Sequence, residues 1–241
     1  MEPSASGESF RQTPVTTRGI LRWLLRVGLF VAILAASLFL SAGQLDWSMG
    51  WVYVGLLVAN QILTALILIP SSPELLVERG RSEGPRDLDR VLASVMALYG
   101  PVVTLIVAGL DRRFGWSPAL PLALHLVALA VVVLGALFTI WAMASNRFFY
   151  GTFRVEADRG HTVASAGPYQ ALRHPGYAGA ILFQLATPIL LGSLWALIPA
   201  GLTAVAIVVR TALEDEALQK QLDGYGDYAA RVRYRLMLGV W

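Results

Sequence analysis

The residues between Gly167 and Gly179, GPYQALRHPGYAG, gather a His, an Arg, two Tyr and several Gly and Pro residues just ahead of an apolar hairpin that ends in Glu214-Asp215-Glu216. Ionisable side chains beside a lipid-spanning segment are expensive, so such a cluster marks chemistry rather than filler. His174 precedes Pro175 and is therefore biased to an extended backbone, while Pro175 suits the first turn of a helix. The His ring is then expected at a helix N-terminus. Free N–H groups and partial positive charge there, with Arg173 alongside, make a seat for a carboxylate or a phosphate.

The elements that must hold this cluster are apolar. The chain has 241 residues, 56% of them hydrophobic and 15% charged, with a mean hydropathy of +0.60, values for a chain dissolved in lipid. Runs of about 20 apolar residues, enough to cross a hydrocarbon core of about 30 Å, fall at 20–41, 47–69, 88–109, 117–144, 176–192 and 194–210. This predicts an all-α polytopic bundle of about six transmembrane helices, with a C-terminal helical hairpin and a ligand-binding loop. If the N-terminus is cytoplasmic, only Arg112 and Arg113 lie on the opposite side, and the excess of Arg elsewhere keeps both termini and the motif loop in the cytoplasm. Eighteen Arg to one Lys, with abundant Ala, fits a GC-rich bacterial genome and an inner-membrane location.

Residues 1–17 read as a polar, disordered tail and 18–241 as a single domain, with the catalytic part at 146–241. Ser71-Ser72-Pro73-Glu74 reads as a capping box that opens a short interfacial helix. The loop at 145–176 is too long and too aromatic for a linker and is expected to fold back on the bundle, with His161 as a solvated residue within it. The short tie Leu191-Gly192-Ser193 makes the last two spans antiparallel neighbours. At about 1.5 Å per residue, Glu214 reaches about 9 Å further from the tie than Tyr177, to the level of Arg173 and His174. Arg210 and Glu214 share a helix face and are expected opposite the His and the Tyr. The same residues also fit plainer roles: a helical i, i+4 pair for Arg210 and Glu214, and interfacial anchors for Tyr169 and Tyr177. His125 is expected to be a partnered polar residue inside its span.

The sequence has no cysteine, which excludes disulfides, thiolate metal sites and cysteine nucleophiles. It has no His-Glu-x-x-His or similar ligand spacing, which argues against a metal, and no P-loop or Gly-x-Gly-x-x-Gly. A net charge of +3 without a basic stripe argues against nucleic acid.

Gly167-Pro168-Tyr169, Arg173-His174-Pro175-x-Tyr177-x-Gly179, Leu191-Gly192-Ser193, Arg210, Glu214-Asp215-x-x-Leu218 and Gly224-Tyr225-x-x-Tyr228 together resemble the isoprenylcysteine carboxyl methyltransferase and phospholipid methyltransferase superfamily. The segment Ser72-Pro73-Glu74-Leu75-Leu76 is similar to the interfacial segment of bacterial relatives. Two departures are visible. The family's Glu-Glu is Glu214-Asp215 here, which leaves Asp215 outside the expected contacts, and the tail has Leu where relatives often have Pro.

The resemblance implies S-adenosylmethionine as cofactor, with Gly167, Tyr169, Arg173, His174, Tyr177, Gly179 and Glu214 as binding residues and Arg210 and Glu214 as catalytic ones. It implies a lipophilic acceptor entering from the bilayer, methylated most simply on a carboxylate, with N- and S-methylation of phospholipids or small molecules as alternatives. Membrane sterol and steroid reductases, which use NADPH, are similar in the same region; Arg154 and Arg159 would then serve the extra phosphate. A non-catalytic membrane protein retaining the fold is the remaining alternative.

Overall fold

The computed structural model describes residues 17–71, 87–149 and 161–241. Among these every regular element is helical: α1 (Thr17–Ala42), α2 (Ser48–Ser71), α3 (Asp87–Ser94), a π-helical turn (Val95–Tyr99), α4 (Gly100–Phe114), α5 (Leu122–Ala144), a 3₁₀ turn (Gly167–Gln170), α6 (Pro175–Leu191), α7 (Leu197–Gln221) and α8 (Tyr225–Arg231). The N-terminal tail, the interfacial segment after Ser71, and Arg154 and Arg159 lie outside the described residues.

Five stretches, Leu21–Ala42, Ser48–Ile67, Leu88–Phe114, Leu122–Ala144 and Leu197–Gln221, are long and apolar enough to cross a membrane. The sixth apolar helix, α6, has 17 residues and extends about 26 Å, slightly less than a hydrocarbon core. The outside of the bundle carries Leu40, Leu66 and Leu202, each more than 65% exposed, a surface suited to lipid. The chain is an integral membrane protein built as a polytopic helical bundle.

Three spans have boundaries that differ from the sequence expectation, the fourth starting at Leu122 rather than near residue 117. The third span does not stop near residue 109 but runs from α3 through the π turn to Phe114, where Gly115 caps it in the left-handed region (φ 66°). The last span starts at Leu197 rather than near residue 194, and its helix continues past Arg210 to Gln221 with the acidic run within it, as the shared face of Arg210 and Glu214 required. Pro199 thereby falls in its first turn, where a missing N–H breaks no helical bond.

The packing that matters most for the site is α6 on α5, the most extensive helix contact in the bundle. Small residues let the two backbones approach. A Cβ on Gly135 would sit 2.7 Å from the Gly179 carbonyl oxygen, and one on Gly179 would collide with Thr139 Oγ1. The Thr139 hydroxyl lies within hydrogen-bond reach of the Gly135 and Gly176 carbonyls (3.0 and 3.3 Å) and links the helices.

At the other end of α6, Gly192 turns the chain with φ 76°, a conformation that a Cβ would strain. His125 Nδ1 lies 2.9 Å from the Leu190 carbonyl. A carbonyl only accepts, so Nδ1 carries the proton, and the residue is partnered as expected. Asp111 fastens this end, accepting from Ser117 N–H (2.7 Å), Ser117 Oγ–H (2.5 Å) and Ser193 Oγ–H (2.5 Å).

Candidate active site

The opposite end of the α6–α7 hairpin encloses a cavity of about 270 Å³. Pro175 opens the first turn of α6 there, as expected. His174 is the N-cap and non-helical, but at φ −127° and ψ 59° it is not the extended residue expected before a proline. Tyr177 follows within that turn. From α7, Arg210, Glu214 and Leu218 face the cavity, one helical turn apart. α3 and the π turn supply Ala93, Met96 and Ala97, and Tyr169, Arg173, Tyr225 and Tyr228 complete the wall. A π turn is a common mark of a functional position.

The three consecutive acids point three ways, because successive helical residues are rotated by about 100°. Glu214 accepts a 2.6 Å hydrogen bond from the Tyr177 hydroxyl. Glu216 is exposed and pairs with Lys220 one turn on. Asp215 is fully buried. Its Oδ1 accepts from Tyr225 Oη–H (2.9 Å) and His174 Nε2 (3.2 Å), and its Oδ2 from Arg235 Nε (2.8 Å) and Gln219 Nε2 (2.9 Å). Arg173 Nε lies 3.0 Å from Oδ1, an ion pair with its N–H out of line, so this buried nitrogen has no hydrogen-bond acceptor. Since a carboxylate only accepts, His174 carries its proton on Nε2.

The His174 and Tyr177 rings stack at 5.9 Å and 10°. Arg210 Cζ lies 5.7 Å from the Tyr177 ring centre, within cation–π range. Arg210 is also held by Asp89 of α3, Nε to Oδ1 at 2.9 Å. The cavity therefore has two electrostatic sides. Arg173, His174 and Arg235 surround one buried carboxylate at the α6 N-terminus, while Glu214 and Asp89 flank one guanidinium on the α7 side.

The supporting tyrosines stay neutral, Tyr225 and Tyr228 as donors and Tyr169 accepting from Asn146 Nδ2 at 3.3 Å. Burial holds the phenols of Tyr169, Tyr225 and Tyr228 above the usual tyrosine range, and the Asp215 charge pushes Tyr225 further in the same direction. Tyr228 donates to the Tyr169 carbonyl at 2.7 Å and so fixes the 3₁₀ turn on α8.

Of the residues singled out in the sequence, Tyr169, Arg173, His174, Tyr177, Arg210 and Glu214 are brought together around one cavity. Gly167 and Gly179 are not among its lining residues. Gly179 makes the close crossing with α5, and Gly167, at φ 58°, packs against Ser145 and Trp141. Two further expectations change. The α6 N-terminus is not open throughout, because the Arg173 and His174 N–H groups donate to the Tyr234 and Arg235 carbonyls (both 2.9 Å). His161 is no solvated residue: it stacks on Phe148 at 4.1 Å and lines the cavity. Sequence reasoning missed Asp89, Asp215 as a centre, and Arg235. Glu214-Asp215 as a pair was the only local signal for any of them.

Among the described residues no group of His, Asp and Glu is arranged to hold a metal ion. No curated protein matches the chain. Residues 127–220, from within α5 to the last turn of α7 and thus including both helices of the hairpin, match the model of the Isoprenylcysteine carboxyl methyltransferase (ICMT) family, which bears out the resemblance read from the motifs.

Proposed function

We propose that the protein is an integral-membrane, S-adenosylmethionine-dependent methyltransferase acting on a lipophilic acceptor that enters from the bilayer. The observation that carries this reading is the pairing, in one cavity within the matched stretch, of a cationic helix N-terminus (Arg173, His174) with an acid on the facing helix (Glu214). An amino-acid group needs both: a cation for its carboxylate and an acid for its ammonium. The Tyr177 ring, stacked on His174, offers a flat, electron-rich face to an adenine or a sulfonium.

S-adenosylmethionine supplies a methyl group already activated on a positive sulfur. The residues of this chain then have to bind, align and keep water away, because in-line displacement gains most from orientation and a dry site. A carboxylate acceptor, as in isoprenylcysteine-type transfer, is ionised at neutral pH and requires no base. Arg210, fixed in direction by Asp89 and by the Tyr177 ring, would steer it. The cofactor would be approached from the cytoplasm.

The test is methyl transfer from tritiated S-adenosylmethionine to a membrane lipid extract and to a synthetic prenylcysteine. Label that is released as methanol by mild base would mark an ester. Base-stable label in lipid would move the acceptor to an amine or a thiol, and no incorporation in either substrate would count against the reading.

A further inference from the structure

We propose that Arg235, in the segment after α8, is a positioning residue of the cofactor site, holding His174 in place through Asp215. The inference rests on the methyltransferase reading and extends it to a part of the chain beyond the family match, which ends at residue 220.

Asp215 is a buried carboxylate, and its two oxygens have different partners. Oδ1 faces His174, Tyr225 and Arg173, whereas Oδ2 is held by Arg235 and Gln219. Without Arg235 the far oxygen would keep only the neutral Gln219 amide, and a carboxylate held more loosely on one side can turn about its χ2 angle, which is broad. Arg235 supplies the charged anchor on Oδ2, so Oδ1 stays aimed at His174 Nε2. The same residue touches His174 a second time through its backbone, where the Arg235 carbonyl accepts the His174 N–H at 2.9 Å.

The segment is tied to present Arg235 in this way. The Trp241 carbonyl accepts the N–H groups of Arg235, Leu236 and Met237 (2.9, 3.0 and 3.2 Å), and the Arg235 guanidinium lies 4.8 Å from the Trp241 ring centre. Arg235 is not among the residues that line the cavity. It acts through Asp215, whose buried charge would keep Arg173 but lose the cation on its far oxygen.

The experiment is calorimetric titration of S-adenosylhomocysteine into the detergent-purified full chain, as wild type, Arg235→Lys and Arg235→Ala, with melting followed in parallel. Nitrogen-15 spectra of labelled histidine report the His174 tautomer. Affinity should fall about threefold in the Lys variant and about tenfold or more in the Ala variant, and the Nε2–H signature of His174 should weaken in the same order. Should the Ala variant not fold, the Lys variant decides. Wild-type affinity in either folded variant would overturn the inference, as would lowered affinity with an unchanged His174 signature. A wild-type protein that does not bind the ligand at all would instead overturn the functional reading underneath, and this inference with it.

Discussion

Two buried aspartates lie at the two ends of the α6–α7 hairpin, and the way each is held separates a fastening from a site. Asp111 accepts from neutral donors, a backbone N–H and the hydroxyls of Ser117 and Ser193. It meets the tie between the helices, and the Ser193 oxygen passes the contact on by accepting the Ala196 N–H at 3.1 Å. Asp215 is surrounded instead by groups that carry charge or change it: Arg173, His174 and Arg235, with the Tyr225 phenol. Neutral donors satisfy a carboxylate without leaving any charge for a ligand to use. The cationic ring around Asp215 leaves an excess of positive charge beside a cavity. Burial alone does not distinguish the two residues; their partners do.

The comparison is broken most directly by removing each acid. Asp215→Ala leaves two arginines and a histidine without their shared counter-ion, and should destabilise the protein by about 3–5 kcal/mol while abolishing S-adenosylhomocysteine binding. Asp111→Ala should cost about 2 kcal/mol, the scale of hydrogen bonds to a charged acceptor, and leave the ligand affinity of the folded protein unchanged. Chemical denaturation of both variants, with titration of the folded fraction, checks the pair. Equal loss of binding would erase the distinction.

Glu214→Gln keeps the shape of the cavity wall and removes one charge. The expected loss of ligand affinity is about 2 kcal/mol, roughly thirtyfold, with a small change in melting temperature because the residue is only half-buried. Ser193→Ala sharpens the other end: about 1 kcal/mol of stability is lost and binding is untouched. A binding defect in Ser193→Ala would show that the two ends are coupled.

The smallest expected effect is one of pH. Tyr169, Tyr225 and Tyr228 have phenols raised above the ordinary value of 10, so in the alkaline range the unfolded chain holds fewer protons than the folded one. Their contribution to stability is therefore fully present below pH 10 and is lost as the pH rises beyond it. Denaturation midpoints measured on either side of pH 10 should fall with rising pH, and less steeply in Tyr225→Phe.

Much of this was legible in the sequence, for physical reasons that also explain the rest. Apolar run lengths fix which segments can cross a bilayer, and the short tie fixes two helices as neighbours, so comparison of helical rise puts Glu214 about 9 Å beyond Tyr177, at the level of Arg173 and His174. In the structure the Tyr177 hydroxyl nevertheless reaches Glu214, with a hydrogen bond of 2.6 Å. What rise cannot supply is the roll of α7 about its own axis. Glu214, Asp215 and Glu216 are equivalent in composition, and only the packing of α7 against α6, α4 and α8 decides which is buried. The π turn is likewise invisible: it ends at Gly100, which lies so close to Thr203 of α7 that a Cβ would collide with it. Arg235 is twenty residues from Asp215 and outside any helix, so no periodicity links the two.

The central claim is that the Asp215 end of the hairpin is the cofactor site of a methyltransferase. Its most direct test is calorimetric titration of S-adenosylhomocysteine and, separately, NADPH into the purified protein, beside a His174→Ala, Glu214→Ala double variant. The account predicts that S-adenosylhomocysteine binds the wild type and not the variant, and that NADPH binds neither. Binding of NADPH alone, or of neither ligand to the wild type, would contradict it.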